Sequence, residues 1–521
     1  MGRTRAQSSV EQLIRQRLAE QPDAVWLMFQ DDRYTWREII SRSQRAANGL
    51  LELGIRPGEH VAVMAANKPE FLWVYFGILM IGAHFVPLNR WQRGAALEHM
   101  VKDSESGAII FDEDLREFII PLRESCPLLH RLATFGPVAG QNVDATTAEL
   151  LAAPDREPDV TVEEPSNAVG IMYTSGTTGR PKGVVANRYE NNLGPLLEAS
   201  YVKPGEAMYA CLPLFHGNAL LVSMMGSIRL GARLGLAERF SASRFWDDCR
   251  KFGAVQVSTL GGILPILMKQ EPRPDDADNP VRTVLSVGCP AGMWRDFERR
   301  FAVRIVEWYG MSDSPGNLIN TVGKVGSVGK PAGGAEFRVV DEHDRELPPG
   351  KLGELAFRHP AGQVTRYHNL PEATAEVYRG GWFHSGDLAE MDEEGFFYFR
   401  GRIKEAIRRR GENVSAWEVE AVVDQHPKVR ESAAFGVPSE IGDEEIMVAV
   451  VPQPGARLEP AEIAEFCQGR LAYFAMPRFI ELVDELPKTA TQKVQKHELK
   501  QRGRTDRTWD GEKVGFVARR T

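Results

Sequence analysis

The 521-residue sequence has no block of like charge, no membrane-length apolar run, no internal repeat and no low-complexity linker. Each absence removes a class of protein. Charges of both signs are interspersed around a formal net charge of −8, so no clustered basic face is available for nucleic acid. The longest apolar run, Phe71 to Ile81, falls far short of the ~20 residues that span a bilayer and reads as a buried helix. The first residues, Met1 to Gln21, lack the apolar core of a signal peptide, with Leu13, Ile14 and Leu18 at helical spacing instead. Gly2 is followed by Ala6 where the myristoylation pattern needs Ser or Thr. The five cysteines (Cys126, Cys211, Cys249, Cys289, Cys467) are odd in number and have no metal-ligand spacing. They read as buried thiols in a reducing compartment, and the expected location is the cytoplasm.

What remains is the composition of a globular enzyme, 43% hydrophobic and 26% charged. The length calls for roughly two or three structural units. Apolar strands alternate with helical patterns: Val61 to Met64, a helix from Glu70 to Ile81, His84 to Leu88, and Ala108 to Phe111. A second series runs through Ala207 to Leu212, Val255 to Leu260, Val284 with Leu285, and Ile305 with Val306. Such alternation predicts an α/β fold of parallel sheets flanked by helices. From about Gly326 the texture becomes short strands between Gly and Pro turns, predicting a small β-rich unit that finishes the large domain. After Arg402 a compact α+β unit follows, with a helix near Ala416 to Gln425, strands at Ala433 to Val437 and Met447 to Val451, a helix from Pro460 to Leu471 and a strand at Phe479 to Leu482. The expected division is residues 1–402 and a mobile C-terminal domain of residues 403–521.

The most informative segment is Tyr173 to Gly183, reading YTSGTTGRPKG. Gly176, Gly179 and Gly183 let backbone approach an anion, and Thr174, Ser175, Thr177 and Thr178 supply hydroxyl donors. Lys182 adds a mobile positive charge suited to a polyphosphate. A polar surface turn is the plain alternative, but this ordered set of residues favours phosphate binding. It lacks the Gly-Lys-Ser/Thr ending of a Walker loop.

This loop resembles the signature of the adenylate-forming superfamily, in its acyl-CoA synthetase (AMP-forming) branch, and the resemblance covers nearly the whole chain. The wording from Arg410 to Val414 is most similar to carnitine/crotonobetaine- and medium-chain-acyl-CoA ligases. The resemblance implies a ligase that joins a carboxylate to coenzyme A, with ATP consumed through an acyl-AMP intermediate. Trp308 to Asp313 is similar to the adenine and magnesium motif: Tyr309 would stack on the base, Ser312 would donate to the α-phosphate, and Asp313 would help hold Mg²⁺. Glu307, Trp308, Gly310 and Met311 belong to the same segment, and Gly288, Cys289 and Pro290 would form the other wall of the adenine slot. Asp387 would accept from both ribose hydroxyls, with Arg402 beside it. Each of these short motifs alone is as readily core or turn; their joint order carries the resemblance. Lys493 matches the C-terminal lysine that screens the approach of two anions, Lys404 matches the hinge, and Arg410, Gly411 and Glu412 match the face that admits the thiol for the second step. In isolation, Arg408 to Arg410 reads better as a solvated basic patch.

His216, in the run Cys211 to His216, stands where amino-acid-activating relatives carry an aspartate for the substrate ammonium. A buried ammonium needs such a partner, so the substrate is expected to be another kind of acid. Leu260, Gly261 and Gly262 open an apolar stretch that would line its pocket, which predicts a hydrophobic acid. Four positions depart from the family pattern: Gln492 for a glycine, Asp313 for a glutamate, Arg410 for a glycine and Arg188 for a histidine. They raise an alternative, a thioester-forming half-enzyme with weak adenylation that takes acyl-AMP from an adenylating partner enzyme. A luciferase-like oxygenase, a carrier-protein acylating enzyme and a non-catalytic adenylate-binding regulator rank lower. The expected partners are thus a carboxylic acid or its adenylate, ATP, Mg²⁺, coenzyme A and, for assembly, a second copy of the chain as a homodimer.

Overall fold

The computed structural model describes residues 9–136, 142–163, 169–174, 181–185, 193–312, 316–359, 365–403, 406–409, 412–439, 444–468, 470–471, 475–488 and 494–516. The chain forms two compact units, one of Met1–Glu336 with Phe357–Phe383 and one of Phe337–Ala356 with His384–Thr521.

The first unit is built on two sheets with parallel cores. In the larger, the strands Val25–Phe29, Arg233–Leu236, Ala207–Ala210, Ala254–Leu260, Thr283–Val287 and Arg304–Tyr309 lie side by side and parallel. Antiparallel strands close both edges, Asp32–Thr35 at one and Asn317–Asn320 with Lys330–Ala332 at the other. The smaller sheet runs His84–Pro87, His60–Met64, Ser106–Asp112, Arg131–Phe135, Ala145–Thr146, parallel throughout. Strands buried on both faces explain why these segments read as near-continuous apolar runs rather than alternating ones.

The apolar run at residue 71 is indeed a helix, Pro69–Met80, in which every residue but Glu70 is buried. Pro69 suits its first turn, where no intrahelical partner exists for a backbone N–H. It packs on helix Trp36–Glu52, which starts with a capping box between Thr35 and Glu38. The helices meet so closely at Gly77 that a β-carbon there would lie 2.9 Å from the Ala47 nitrogen. All five cysteines are buried and free. No helix among the described residues is long and apolar enough to cross a membrane.

In the second unit, Phe397–Arg402 pairs antiparallel with Trp382–Met391. A four-stranded sheet follows in the order Val429–Pro438, Glu444–Pro452, Phe479–Leu482, Trp509–Asp510, with helices Ala416–Val423, Pro460–Cys467 and Lys496–Arg502. The expected helix from Pro460 to Leu471 stops at Cys467, where Gln468 turns extended (φ −60°, ψ 126°) before Gly469, a poor helix former. The expected strand from Ala207 likewise ends early, at Ala210, because the carbonyl of Leu212 is drawn to the side chain of Asn67.

Three histidines gather at the N-terminal ends of the smaller sheet's strands. His60 and His84 face each other in register with ring centroids 5.1 Å apart, and His368 lies 5.9 Å from His60. Burial pushes the His60 imidazole down to about 4, with His84 and His368 adding to the drop and Glu105 opposing it; burial also lowers His84. A base whose folded pKa lies below its unfolded one favours folding while both states are neutral, and loses that advantage on acidification. This share of stability is complete above about pH 6.5 and is lost as pH falls towards 4. Thermal melts by differential scanning fluorimetry should therefore fall between pH 6.5 and 4.5, and His60→Gln should flatten that slope. Parallel slopes for the two proteins would show that the cluster is not the source.

Candidate active site

Four neighbouring parallel strands deliver the chemistry-bearing residues to one edge of the larger sheet. Cys211 to His216 follow Ala207–Ala210, Gly261 and Gly262 follow Ala254–Leu260, Gly288 to Pro290 follow Thr283–Val287, and Gly310 to Ser312 follow Arg304–Tyr309. Ligand crevices in α/β sheets form outside such carboxyl ends.

The last three of these segments are tied together directly. The Gly261 amide donates to the Val287 carbonyl at 2.7 Å, and Gly288 sits at φ +88° with its backbone against Gly261. A β-carbon at Gly288 would touch the Gly261 α-carbon at 3.4 Å and would have to adopt a left-handed conformation, so glycine fits best. Behind this turn lies Glu307, 3% exposed. Its carboxylate accepts from the amides of Gly288 and Cys289, the latter at 3.1 Å, and from Ser286. Burial pushes Glu307 up to about 7 even though these donors favour its charged form. Trp308 and Tyr309 are buried at the end of the next strand, and the Tyr309 hydroxyl bonds the Met311 sulfur at 3.0 Å. Ser312, Gly310, Met311 and Pro290 are partly exposed at the same edge. The two expected adenine walls are thus adjacent, with Glu307 as their shared support.

The phosphate segment is an antiparallel hairpin. Met172–Thr174 pairs with Lys182–Val185, and Thr174 stands opposite Lys182, so the loop of Ser175, Gly176, Thr177, Thr178 and Gly179 is closed at its base. Those five residues, with Arg188, lie outside the described residues. The base is clamped by helix Gly94–Asp103. The Tyr173 hydroxyl bonds Asp103 Oδ2 at 2.8 Å and the Met100 carbonyl at 3.0 Å, while His99 Nε2 bonds the Pro181 carbonyl at 3.0 Å. Lys182 Nζ rests over the Tyr367 ring, 4.7 Å from its centroid.

The loop carrying His216 is held from below by Asn67, 2% exposed. Its amide donates to the carbonyls of Leu212 and Ala237, both at 2.9 Å, and accepts from the Leu214 amide at 2.8 Å. The His216 ring packs on Phe215 (4.6 Å between centroids), and Phe215 meets Trp91 (5.8 Å). Burial pushes His216 down to about 4, so its ring is neutral at physiological pH. Leu260 is partly exposed, Gly261 and Gly262 are open, and Ile263, Leu264 and Leu267 bury their side chains beyond them.

The second unit brings together the two residues expected on the ribose. Asp387, 2% exposed, stands opposite Arg402 across paired strands, with Arg402 Nε 3.2 Å from its carboxylate. Glu354 supports the turn before Asp387, accepting from the Gly386 amide at 3.0 Å and pairing with His384 Nδ1 at 2.9 Å. The backbone of Glu412 pairs with Arg409 in a short hairpin. Lys493, Lys404, Arg410, Gly411, Asp313 and Gln492 lie outside the described residues.

Comparison with known proteins agrees with this geometry. The AMP-binding enzyme family matches residues 14–368, and the AMP-binding enzyme C-terminal domain matches residues 418–493. The chain belongs to the AMP-binding enzyme family. A crotonobetaine/carnitine–CoA ligase of Salmonella enteritidis PT4 is 30% identical over 491 residues, spanning 90% of this chain and 93% of the relative. Among solved structures, o-succinylbenzoate CoA synthetase (MenE) from Bacillus subtilis with its acyl-adenylate intermediate superposes with a TM-score of 0.81 at 25% identity, covering 94% of this chain and 97% of that one. The same protein has also been solved with ATP and magnesium ion (TM-score 0.79, 25% identity, coverage 94% and 99%). ATP-bound MatB from Rhodopseudomonas palustris gives a TM-score of 0.82 at 26% identity, with coverage of 94% and 98%.

No group of three His, Cys, Asp or Glu side chains suited to a metal occurs among the described residues. A magnesium ion carried by a nucleotide needs no such cage, since phosphates, water and one or two carboxylates complete its shell. Sparse protein ligation of that kind fits this edge.

Tyr173, Asp103, His99 and Asn67 act through the loops they hold. Tyr173→Phe and Asp103→Asn should each raise the KM for ATP by about tenfold, since a displacement of ~1 Å at reacting groups costs up to ~100-fold. Steady-state kinetics should show this with a smaller change in the KM for the acid. Asn67→Ala strands two carbonyls and an amide, and should cost about 3 kcal/mol in denaturant unfolding of the first unit.

Proposed function

We propose that this AMP-forming acyl-CoA ligase activates a hydrophobic carboxylate other than an amino acid. The observation that carries the reading is the strand-end edge itself. There the Gly288 turn, braced by Glu307, meets Gly261, the first residue of the apolar stretch, so the nucleotide wall and the acid's pocket share one boundary. A neutral His216 and buried Ile263, Leu264 and Leu267 suit an uncharged acyl group and offer a substrate ammonium no counter-ion.

In the first step a carboxylate oxygen forms a bond to the α-phosphorus as the bond to pyrophosphate breaks. Two anions must approach, so the protein's task is positioning and screening. The phosphate hairpin with Lys182 would hold the polyphosphate, Ser312 would donate to the α-phosphate, and Lys493 would screen the developing charge. Asp387 and Arg402 would hold the ribose, and Asp313 the magnesium ion, which lowers the charge on the phosphates. In the second step the coenzyme A thiol, losing its proton, bonds to the acyl carbon and AMP leaves. The C-terminal domain, residues 403–521, would turn about Lys404 to present Arg410, Gly411 and Glu412 for that step. The setting is cytoplasmic, and the assembly, a homodimer in the sequence reading, is measurable by light scattering.

The test separates the half-reactions. Pyrophosphate exchange is followed with a panel of hydrophobic acids, and thioester formation is followed from synthetic acyl-adenylates. The expected result is that both proceed. Lys493→Ala should slow exchange by about 100-fold while largely sparing thioester formation. Thioester formation without exchange by the wild-type protein would overturn the complete ligase in favour of a half-enzyme fed by an adenylating partner.

A further inference from the structure

Two asparagines flank the His216 loop and are treated in opposite ways. Every hydrogen-bonding group of Asn67 used in the fold is satisfied, by Leu212, Ala237 and Leu214. Asn218 has both its amide nitrogen and its amide oxygen shut off from solvent, and neither has a partner. It is the only side chain among the described residues in which a whole amide is stranded this way. Burying such a group unpaired costs roughly 1–3 kcal/mol, and natural proteins seldom bear that without a use.

Its position supplies the use. Asn218 opens the wide π-type helix Asn218–Met225, whose other residues are all buried. That helix packs against Ala207–Ala210 and Ala254–Leu260, the two strands that deliver His216 and Gly261 to the site. The preceding residue, Gly217, lies against the sulfur of Met172, on the strand that leads into the phosphate loop. Single π-type turns concentrate at functional sites because they widen the helix where a side chain must reach a ligand. Asn218 is therefore a polar point in an otherwise apolar wall, two residues from His216.

We propose that Asn218 is a specificity-determining residue that recognises a hydroxyl group on the acyl part of the substrate. The amide offers one donating and one accepting atom. A hydroxyl matches both at once, whereas a carbonyl or ether leaves the Asn218 oxygen unpaired. The acid is then a hydrophobic carboxylate bearing a hydroxyl on its carbon skeleton. This rests on the acyl-CoA ligase reading of the same site. It narrows the substrate from any hydrophobic acid to a hydroxylated one.

The test uses matched pairs of acids: octanoic acid with its 2- and 3-hydroxy forms, and cyclohexanecarboxylic and benzoic acids with their 3- and 4-hydroxy forms. The full-length protein is assayed with each by pyrophosphate exchange and by thioester formation. At least one hydroxy acid should exceed its plain partner in kcat/KM by about tenfold or more, since a site built for a hydroxyl discriminates strongly against its absence. Asn218→Leu should bring that ratio close to one, and Asn218→Ser should keep part of it. Without substrate, the leucine variant should also melt higher than wild type, because an unpaired amide has been removed. Activity on the acids with no preference for any hydroxyl would overturn the assignment and leave the ligase reading intact. So would a preference that survives Asn218→Leu. Folded protein that yields neither exchange nor thioester with any acid would overturn the ligase reading and this inference together.

Discussion

The nucleotide wall depends on one carboxylate held away from water. Glu307 is 3% exposed, yet it accepts from Gly288, Cys289 and Ser286. Burial alone would favour the neutral acid, and its pKa of about 7 records the conflict between desolvation and these donors. What the protein gains is geometry. With both amides pointed inward at Glu307, the turn is drawn back against its own sheet, and Gly288 takes the left-handed backbone that a side chain would resist. The outer surface of the turn is left free of inward-seeking amides. Its contact with Gly261 then fixes the distance between the nucleotide wall and the start of the apolar stretch. An aliphatic residue at 307 would leave both amides buried and unanswered.

The framework that presents this edge was readable from sequence, and the reasons are physical. Strands buried on both faces need continuous apolar residues, so Ala254–Leu260, Thr283–Val287 and Arg304–Tyr309 announce themselves. A loop that wraps phosphate needs glycines and hydroxyls in a short space, so Tyr173 to Gly183 does as well. The pairing of Asp387 with Arg402 also agreed, because both belong to short motifs on strands that turn out to be neighbours. The braces were not legible. Asn67 reaches Leu214 across 147 positions, and Tyr173 reaches Asp103 across 70. A side chain that bonds to a distant backbone leaves no period and no local composition. Only one signal could have pointed to Asn67: a polar residue directly after the apolar strand His60–Met64, where a loop at the strands' carboxyl ends had to be held.

The braces are also what make the loops fit for chemistry. Helix Gly94–Asp103 fastens both sides of the phosphate hairpin, through Tyr173 on one strand and Pro181 beside the other. Asn67 fastens the floor beneath His216. These bonds are made before any substrate arrives, so the ordering of the loops is part of folding and need not be supplied by binding. Such arrangements concentrate the remaining freedom in the tips of the loops, which is where a ligand must be met.

The walls of this edge are almost free of charge at neutral pH, and the reaction explains why that is useful. Burial keeps His216 uncharged by pushing it down to about 4, and keeps the Cys211 thiol protonated by pushing it up to about 12; it also raises the Cys289 thiol. A fixed cation beside the incoming carboxylate would bind the free acid strongly, but that charge is spent when the oxygen bonds to phosphorus. Such a contact stabilises the ground state more than the transition state and slows the step it seems to help. Neutral walls avoid this, and leave screening to groups that face the phosphates, where negative charge persists through the step. Lys182 is placed in that way, on the strand that closes the phosphate loop and resting on the Tyr367 ring rather than in a salt bridge with a carboxylate. A lysine held by an aromatic face keeps its full charge available, since the ring's quadrupole is a weaker competitor than a carboxylate for an arriving phosphate.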